Sequence, residues 1–154
     1  MIPDIGDRQP DLLIEGYLER WCLTHRRNEG SIYLHHFLAP DVPVFHDHPW
    51  EFSTQILNGG YGESTLPYGQ VDESITRDFT REAGDTIDHY ADDFHYIKSL
   101  LGDVWTLVTT GPRLRRTWGF INEHGEWEEH SKFEVRTGAR QKIIQGPGYL
   151  ETGR

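Results

Sequence analysis

The most informative segment of the chain is Pro43-Val44-Phe45-His46-Asp47-His48-Pro49-Trp50-Glu51-Phe52. Side chains two positions apart on an extended strand point to the same face. His46 and His48 would therefore present both imidazoles to one interior, while Asp47 points away. Because neutral imidazole is a common metal ligand, the stretch predicts two ligands of a metal site.

A third protein ligand is needed, because a catalytic metal site usually has three protein ligands and keeps open positions. We place it at His95, which begins an apolar strand downstream of a Gly-Asp turn. A shift in the register of that strand would exchange His95 with His89. The sequence thus predicts one divalent metal ion on His46, His48 and His95, with His89 as the competing ligand and a candidate acid/base group.

Short runs rich in β-branched and aromatic residues follow one another from Ile32 onwards, and the last is predicted from Trp127 to Phe133. Turn-forming residues such as Asn58-Gly59-Gly60 separate them every eight to twelve positions or so. About ten short strands without intervening helical patterns are typical of an all-β sandwich or barrel.

The two ends of the chain have different patterns. Apolar residues recur at helical spacing between Pro10 and about Arg26, which predicts one amphipathic N-terminal helix. At 154 residues the chain has the length of one domain. We expect one domain over residues 1–154, with the helix at about 10–26, the barrel at about 30–135 and an extended tail or dimer arm at 138–154.

Composition restricts the partners. Asp and Glu outnumber Lys and Arg by 25 to 15, and the formal charge of −10 argues against nucleic acid or an anionic membrane surface. A small-molecule substrate is expected instead. The single cysteine excludes an internal disulfide, and neither a signal peptide nor a long apolar run is present, so we expect a cytoplasmic protein. The aromatic barrel faces and the tail suggest a homodimer.

The run His46-Asp47-His48-Pro49, followed by an apolar strand and Gly59-Gly60-Tyr61, resembles the first motif of the cupins. The stretch from Gly84-Asp85 to Phe94-His95 resembles the second motif. The resemblance implies an all-β fold of the cupin type, a double-stranded β-helix or jelly-roll barrel.

The usual cupin glutamate ligand, commonly seven positions before the turn glycine, has no counterpart here. Counted back from Gly60, that position is Ser53, a poor metal ligand that we assign to the substrate pocket. Glu51 would reach the metal only if the chain bulges around Pro49-Trp50. Two models stay open: a three-histidine site, and a two-histidine-one-carboxylate site in which Glu51 supplies the carboxylate and His95 supplies the ligand from the second strand.

The three-histidine model resembles the thiol dioxygenase branch of the cupins, which binds ferrous iron. This resemblance implies a mononuclear non-haem Fe(II) dioxygenase, an oxidoreductase acting on a small molecule. Zn, Mn or Ni on the same ligands would instead serve an isomerase, epimerase or lyase, with Glu51 or His89 moving protons. A non-catalytic cupin that binds a metabolite is the third function left open.

Aromatic and basic side chains near the histidines are candidates for contact with a substrate. The aromatics would form walls that keep the pocket dry, and an arginine would hold a substrate carboxylate. His35 and His36 are adjacent in the sequence, so only one of them can point inward. The substrate-binding candidates are Trp50, Ser53, Tyr96, Arg115, Arg116 and Trp118.

Overall fold

The computed structural model describes residues 1–114, 117–139 and 141–146, and antiparallel strands dominate these segments. A 3-10 turn at Glu73–Ile75 and one helix, α1 (His130–Thr137), accompany the strands in the described part of the chain. The strands are β1 (Leu12–Ile14), β2 (Leu18–Arg26), β3 (Gly30–Phe37), β4 (Phe52–Thr65), β5 (Arg77–Glu82), β6 (Thr86–His89), β7 (His95–Thr110), β8 (Gly119–Ile121), β9 (Trp127–Glu129) and β10 (Ile143–Gln145).

Eight strands form one sheet with the order β10-β1-β2-β3-β7-β4-β5, in which β6 also pairs with β4. The remaining pair, β8 and β9, forms a two-stranded sheet. The long strands β4 and β7 lie side by side from the pair Phe52–Thr110 to the pair Thr65–His95. This pairing joins the end of β4 to the start of β7, where the third predicted metal ligand lies. The predicted all-β class is confirmed.

The predicted turn at Asn58-Gly59-Gly60 is an irregularity inside the continuous strand β4. The register of the β4–β7 pairing shifts there, and Gly59 has a φ of +68°. A Cβ atom on Gly59 would lie 2.6 Å from the backbone oxygen of Asp103, so only glycine fits. Two strands predicted separately on either side of this position are therefore one strand.

The predicted N-terminal helix at about 10–26 is wrong, because this stretch forms the hairpin of β1 and β2. Gly16, at the turn between them, has a φ of +75°, which glycine adopts without strain. Burial follows a two-residue alternation, with Leu18 and Arg20 inside and Glu19 between them less buried. Pairing of β2 with β3 along its whole length outweighs the helical spacing of the apolar residues.

The helix of the structure lies near the other end of the chain, at α1, where a strand had been predicted to continue to Phe133. It begins after Glu129, whose side chain accepts a hydrogen bond from the backbone nitrogen of Lys132, and it ends at Gly138 with a φ of +75°. Part of the predicted tail forms β10 beside β1, and residues 147–154 lie outside the described segments. Among the described residues, no helix is long and apolar enough to cross a lipid bilayer.

Candidate metal centre

The structure brings the three predicted histidines together. One ligand atom from each of His46, His48 and His95 lies within 4.8 Å of the other two. The ring centroids are 5.2 Å apart for His46 and His48, 4.8 Å for His46 and His95, and 5.1 Å for His48 and His95. Imidazole nitrogens bind an ion such as zinc at about 2 Å, so one ion between the three rings is compatible with this spacing after small side-chain adjustments.

The segment that carries His46 and His48 is held by single contacts and not by a regular strand. His46 forms isolated bridges with His95 and with Phe120. The backbone nitrogens of His46 and His95 each donate to the other's backbone oxygen at 3.1 Å. The extended strand predicted at His46 and His48 is therefore reduced to the two isolated bridges of His46, and the bridge to His95 places two of the histidines directly opposite each other.

Asp47 points away from the two histidines and anchors the segment between them. Its side chain is 1% exposed. Oδ1 accepts a hydrogen bond from the backbone nitrogen of Gly119 at 2.8 Å, and Oδ2 accepts one from Nε1 of Trp127 at 3.1 Å. The carboxylate thus ties the histidine segment to the sheet of β8 and β9.

Two of the histidine rings have a buried nitrogen with no hydrogen-bond partner among the described residues: Nδ1 of His48 and Nε2 of His95. Burial, strengthened by the neighbouring histidines, lowers the pKa of His48 well below its usual value. Burial lowers the pKa of His95 to about 4, although the bond to Glu63 opposes this effect. Both rings are therefore neutral near pH 7, which is the form that binds a metal. A buried unpartnered nitrogen is costly, and a metal ion would satisfy it, so these residues fit a metal.

Glu63, which was not among the site residues predicted from the sequence, supports the ring of His95. The residue is 0% exposed, and its Oε2 accepts a hydrogen bond from Nδ1 of His95 at 2.7 Å. Nε and Nη2 of Arg81 each lie 2.9 Å from Oε1. Burial alone would raise the pKa of Glu63, but hydrogen bonds from His89 and His95 lower it below its usual value, so the carboxylate is ionised. A carboxylate behind a histidine in this way fixes the ring and its tautomer for metal binding.

His89 belongs to this supporting group. Its Nε2 lies 3.3 Å from Oε2 of Glu63, and its ring stacks on Phe52 with centroids 4.9 Å apart. Glu63, His89 and His95 also have ligand atoms within 4.8 Å of one another. The guanidinium of Arg81 already neutralises the carboxylate, and its positive charge would repel a second cation there. The structure therefore places His95, and not His89, beside His46 and His48.

A cavity of about 140 Å³ opens at the three histidines. Two of the predicted aromatic walls line it. Trp50 stacks on His48 with ring centroids 5.1 Å apart, and the ring centroids of Trp118 and His46 are 5.9 Å apart. Both tryptophans are buried, so they shield this side of the histidines from water.

Two other predicted pocket residues do not line the cavity. Tyr96 directly follows His95 in β7, so its side chain points to the other face and packs against Phe45 with centroids 4.9 Å apart. Ser53 follows the cavity-lining Phe52 in β4 and is turned away for the same reason.

The predicted carboxylate Glu51 is also away from the cavity. Its side chain is exposed and is not part of the cavity wall. The structure therefore does not bring Glu51 to the histidines, either as a ligand or as an acid/base group. Arg115 and Arg116 lie outside the described residues.

Polar side chains that were not predicted as pocket residues line the rest of the cavity. The hydroxyl of Tyr17 forms a short hydrogen bond with Oδ1 of Asp41, whose Oδ2 accepts a bond from the backbone nitrogen of Ile97 at 2.6 Å. Arg20, His35 and Thr106 line another part, and all three are buried. The cavity thus joins three imidazoles, aromatic walls and a small number of polar groups.

The chain is similar to solved cupin structures. The DMSP lyase DddQ from Ruegeria pomeroyi DSS-3 aligns with a TM-score of 0.51 and 20% identity over 66% of this chain and 50% of the lyase chain. Hydroxypropylphosphonic acid epoxidase from S. wedmorenis aligns with a TM-score of 0.52 and 16% identity over 72% of this chain and 59% of the epoxidase chain. This chain thus spans half to three fifths of these two proteins. No protein-family model and no curated protein sequence matches it. The likeness shows a cupin-type fold.

Proposed function

We propose that this chain is a metal-dependent cupin enzyme acting on a small molecule, most specifically a mononuclear non-haem Fe(II) dioxygenase. The observation that carries the proposal is the convergence of His46, His48 and His95 at the wall of a cavity. His48 and His95 are neutral near pH 7, and each has a buried nitrogen that no group in the described part of the chain satisfies.

The donor set favours an ion that keeps open positions. Imidazole binds a metal as an uncharged ligand, so three of them would leave the charge of the ion undiminished, and Fe(II) held there would supply the activation of O2. The chain's own residues do the rest: Glu63 fixes the ring of His95, and Trp50 and Trp118 exclude water from the histidines. The resemblance to thiol dioxygenases extends this proposal to small thiols as substrates.

A non-redox lyase or isomerase is the second candidate, and one observation favours it. The hydroxyl of Tyr17 and the carboxylate of Asp41 are hydrogen-bonded to each other at the cavity wall. Such a pair can take up or deliver a proton, which an isomerisation or elimination requires. Tyr17 and Asp41 replace Glu51 and His89 as the acid/base candidates, since neither of the latter two lines the cavity.

Metal content tests the site. Protein purified anaerobically and supplied with Fe(II) is compared with His46→Ala, His48→Ala and His95→Ala, each measured separately by elemental analysis. We expect about one iron per chain in the unaltered protein and less than about a tenth of that in each variant. The control is His124→Ala, because the His124 side chain is 73% exposed and lies in a turn. Absence of bound iron, zinc, manganese and nickel in the unaltered protein would contradict the proposal.

Oxygen dependence separates the two candidates. Iron-loaded protein is offered small thiols while O2 uptake is recorded. Uptake that requires both iron and the histidines supports the dioxygenase. Turnover that persists without O2 and is lost in Tyr17→Phe supports the lyase or isomerase.

A cytoplasmic location, a homodimer and the lack of nucleic-acid and membrane partners stay predictions.

A further inference from the structure

One rung of apolar side chains crosses the sheet wall of the cavity. Ile14 on β1 lies opposite Leu18 on β2, and Leu18 lies opposite Phe37 on β3. All three residues line the cavity. Neighbouring strands lie about 4.8 Å apart, so Ile14, Leu18 and Phe37 form an apolar strip that extends for about 10 Å across the three strands.

The apolar strip continues to the candidate metal centre. Ile97 lies two positions after His95 on β7, so the two side chains point to the same face about 7 Å apart. Phe37 packs against the core cluster that contains Ile97, and it also packs against the cluster of Ile14 and Leu18. Because Ile97 lines the cavity too, Phe37 joins the apolar strip to the neighbour of a metal ligand.

A second apolar side chain flanks the histidines from the sheet of β8 and β9. The rings of Phe120 and His46 have centroids 6.0 Å apart, and Phe120 lines the cavity. Phe133 of α1 packs against Phe120 with ring centroids 4.5 Å apart, which holds the Phe120 ring in place. A ligand that extends from the histidines along Ile97 therefore has apolar side chains from two sheets near it.

The apolar strip faces the cavity and not only its neighbours in the core. Ile14 and Leu18 are buried, yet both line the cavity of about 140 Å³. Folded interiors contain few voids larger than a water molecule, because apolar atoms that face a void lose their packing partners. An aliphatic chain in the cavity would supply these contacts and would itself be removed from water. The strip is therefore suited to an apolar ligand.

Two pairs of polar side chains border the apolar strip, and the members of each pair bind each other. The hydroxyl of Tyr17 binds Oδ1 of Asp41, whose Oδ2 accepts a hydrogen bond from the backbone nitrogen of Ile97 at 2.6 Å. On the next rung, Nε of Arg20 donates to Nε2 of His35 at 2.9 Å. The strip itself offers no hydrogen bond, so a polar ligand group placed there would lose its bonds to water without replacement.

We propose that Ile14, Leu18 and Phe37 bind an aliphatic segment of a small substrate whose other end reaches the metal. The proposal rests on the proposed metal-dependent function for that other end, and it names the substrate class as small molecules with an aliphatic chain. The hairpin of β1 and β2 supplies two of the three side chains, so the choice of substrate depends on this N-terminal part of the chain. Each methylene that moves from water onto the strip should raise the affinity about fourfold.

The length of a ligand chain tests the apolar strip. Protein loaded with Co(II), after its metal content has been measured, is titrated with unbranched thiols from ethanethiol to hexanethiol, and the sulfur-to-cobalt absorption band reports binding. We expect the affinity to rise about fourfold for each added methylene. Propoxyethanethiol has the length of hexanethiol with an ether oxygen in place of one methylene, so it should bind at least about tenfold more weakly than hexanethiol.

Substitutions on the apolar strip should affect long thiols and spare short ones. Leu18→Asn places a polar group on the strip, so it should weaken hexanethiol binding at least about tenfold and leave ethanethiol, which is too short to reach the strip, unchanged. The control is Leu13→Asn, since Leu13 is on β1 beside Ile14 but does not line the cavity. It should match the unaltered protein with both thiols. If Leu18→Asn does not fold, Ile14→Phe, which fills the strip with apolar carbon, should show the same selective loss.

Thermal shift of the metal-free protein separates this proposal from the metal proposal. Millimolar hexanol should raise the melting temperature more than propoxyethanol of the same length does, and Leu18→Asn or Ile14→Phe should abolish that difference. A protein that binds no metal but prefers hexanol in this way would refute the proposed function and leave the apolar strip intact. Equal effects of the two alcohols, affinities that do not rise with chain length, or a preference that survives both substitutions would refute the strip as a ligand site.

Discussion

Nδ1 of His95 donates a hydrogen bond to Oε2 of Glu63 at 2.7 Å, and Arg81 on the neighbouring strand holds the other oxygen of the same carboxylate. Glu63 and Arg81 thereby connect the candidate metal centre to the edge of the sheet at β5. The carboxylate fixes the tautomer of His95 and leaves Nε2, which has no partner within the segments that the structure describes, available to an ion.

Glu63→Gln tests this support. The glutamine keeps the shape of the side chain but removes the negative charge that holds the His95 ring. We expect the affinity for Zn(II) to fall about 10- to 100-fold, measured by competition with a chromophoric chelator. Glu82→Gln, at an exposed carboxylate on β5, is the control and should bind Zn(II) normally. An unchanged affinity in folded Glu63→Gln would show that the carboxylate does not support the metal.

The metal-free protein should lose stability as the pH falls from about 7 to 5. The pKa of His95 is lowered to about 4 in the folded state, whereas an unfolded histidine titrates near 6.5. Between these values the unfolded chain binds a proton that the folded chain does not, so acid favours unfolding. His95 alone should lower the free energy of unfolding by about 2 kcal/mol between pH 7 and pH 5.

His35 and His48 shift this stability in the same direction, because their pKa values are lowered too. Urea unfolding of chelator-treated protein at the two pH values measures the change. His95→Gln should reduce the pH dependence, since it removes one of the three titrating groups. A free energy of unfolding that is equal at both pH values would contradict the assignment of these rings as neutral and buried.

Asp47→Ala should weaken the fold and the metal site together. The change leaves the buried backbone nitrogen of Gly119 without its side-chain acceptor and releases Nε1 of Trp127. We expect a loss of roughly 2–4 kcal/mol in the free energy of unfolding and weaker Zn(II) binding. Asp47→Asn retains one acceptor oxygen, so its stability and its Zn(II) affinity should lie between those of Asp47→Ala and those of the unaltered protein. The control is Asp88→Asn, at an exposed position of β6, which should match the unaltered protein. Normal Zn(II) affinity in Asp47→Ala would show that the segment does not need this anchor.

Gly59→Ala should be more damaging than the same change at Gly69. Both glycines have positive φ, +68° and +73°, so both substitutions introduce backbone strain of about 1 kcal/mol or more. Only Gly59 is also crowded, because its Cβ would meet the backbone of Asp103, whereas nothing lies within 4 Å of the corresponding position at Gly69. Chemical denaturation of both variants should show an additional loss at Gly59 of at least about 1 kcal/mol. Equal losses would contradict the close approach of β4 and β7.

The histidines of the metal centre could be predicted because the information is local. His46 and His48 are two positions apart, and this spacing places them on one face even though the segment forms only isolated bridges at His46. The same alternation excludes Tyr96 from the pocket once His95 points inward, because consecutive strand residues face opposite sides. Applied consistently, the sequence rule would have placed only one of those two residues in the cavity.

Glu63 and Arg20 could not be found in this way, because their roles depend on long-range pairing. Glu63 reaches His95 only because the end of β4 pairs with the start of β7, 32 positions away in the chain. The one local signal for Glu63 was that it is a charged residue within the strand that includes Tyr61. Arg20 was not predicted because the helical spacing of its neighbours indicated a helix. Gly16, in the middle of that predicted helix, was the residue that argued against a helix.

Arg20 on β2 and His35 on β3 line the cavity, whereas His46 and His48 come from a segment outside the named strands and His95 comes from the start of β7. These polar groups of the cavity wall and the candidate metal ligands are therefore encoded in separate segments of the chain. A single substitution on β2 or β3 can change the chemistry of the wall without replacing a metal ligand. Such an arrangement allows a lineage to acquire new substrates stepwise, and it gives a protein engineer a surface on which selectivity can be redesigned while reactivity is held constant.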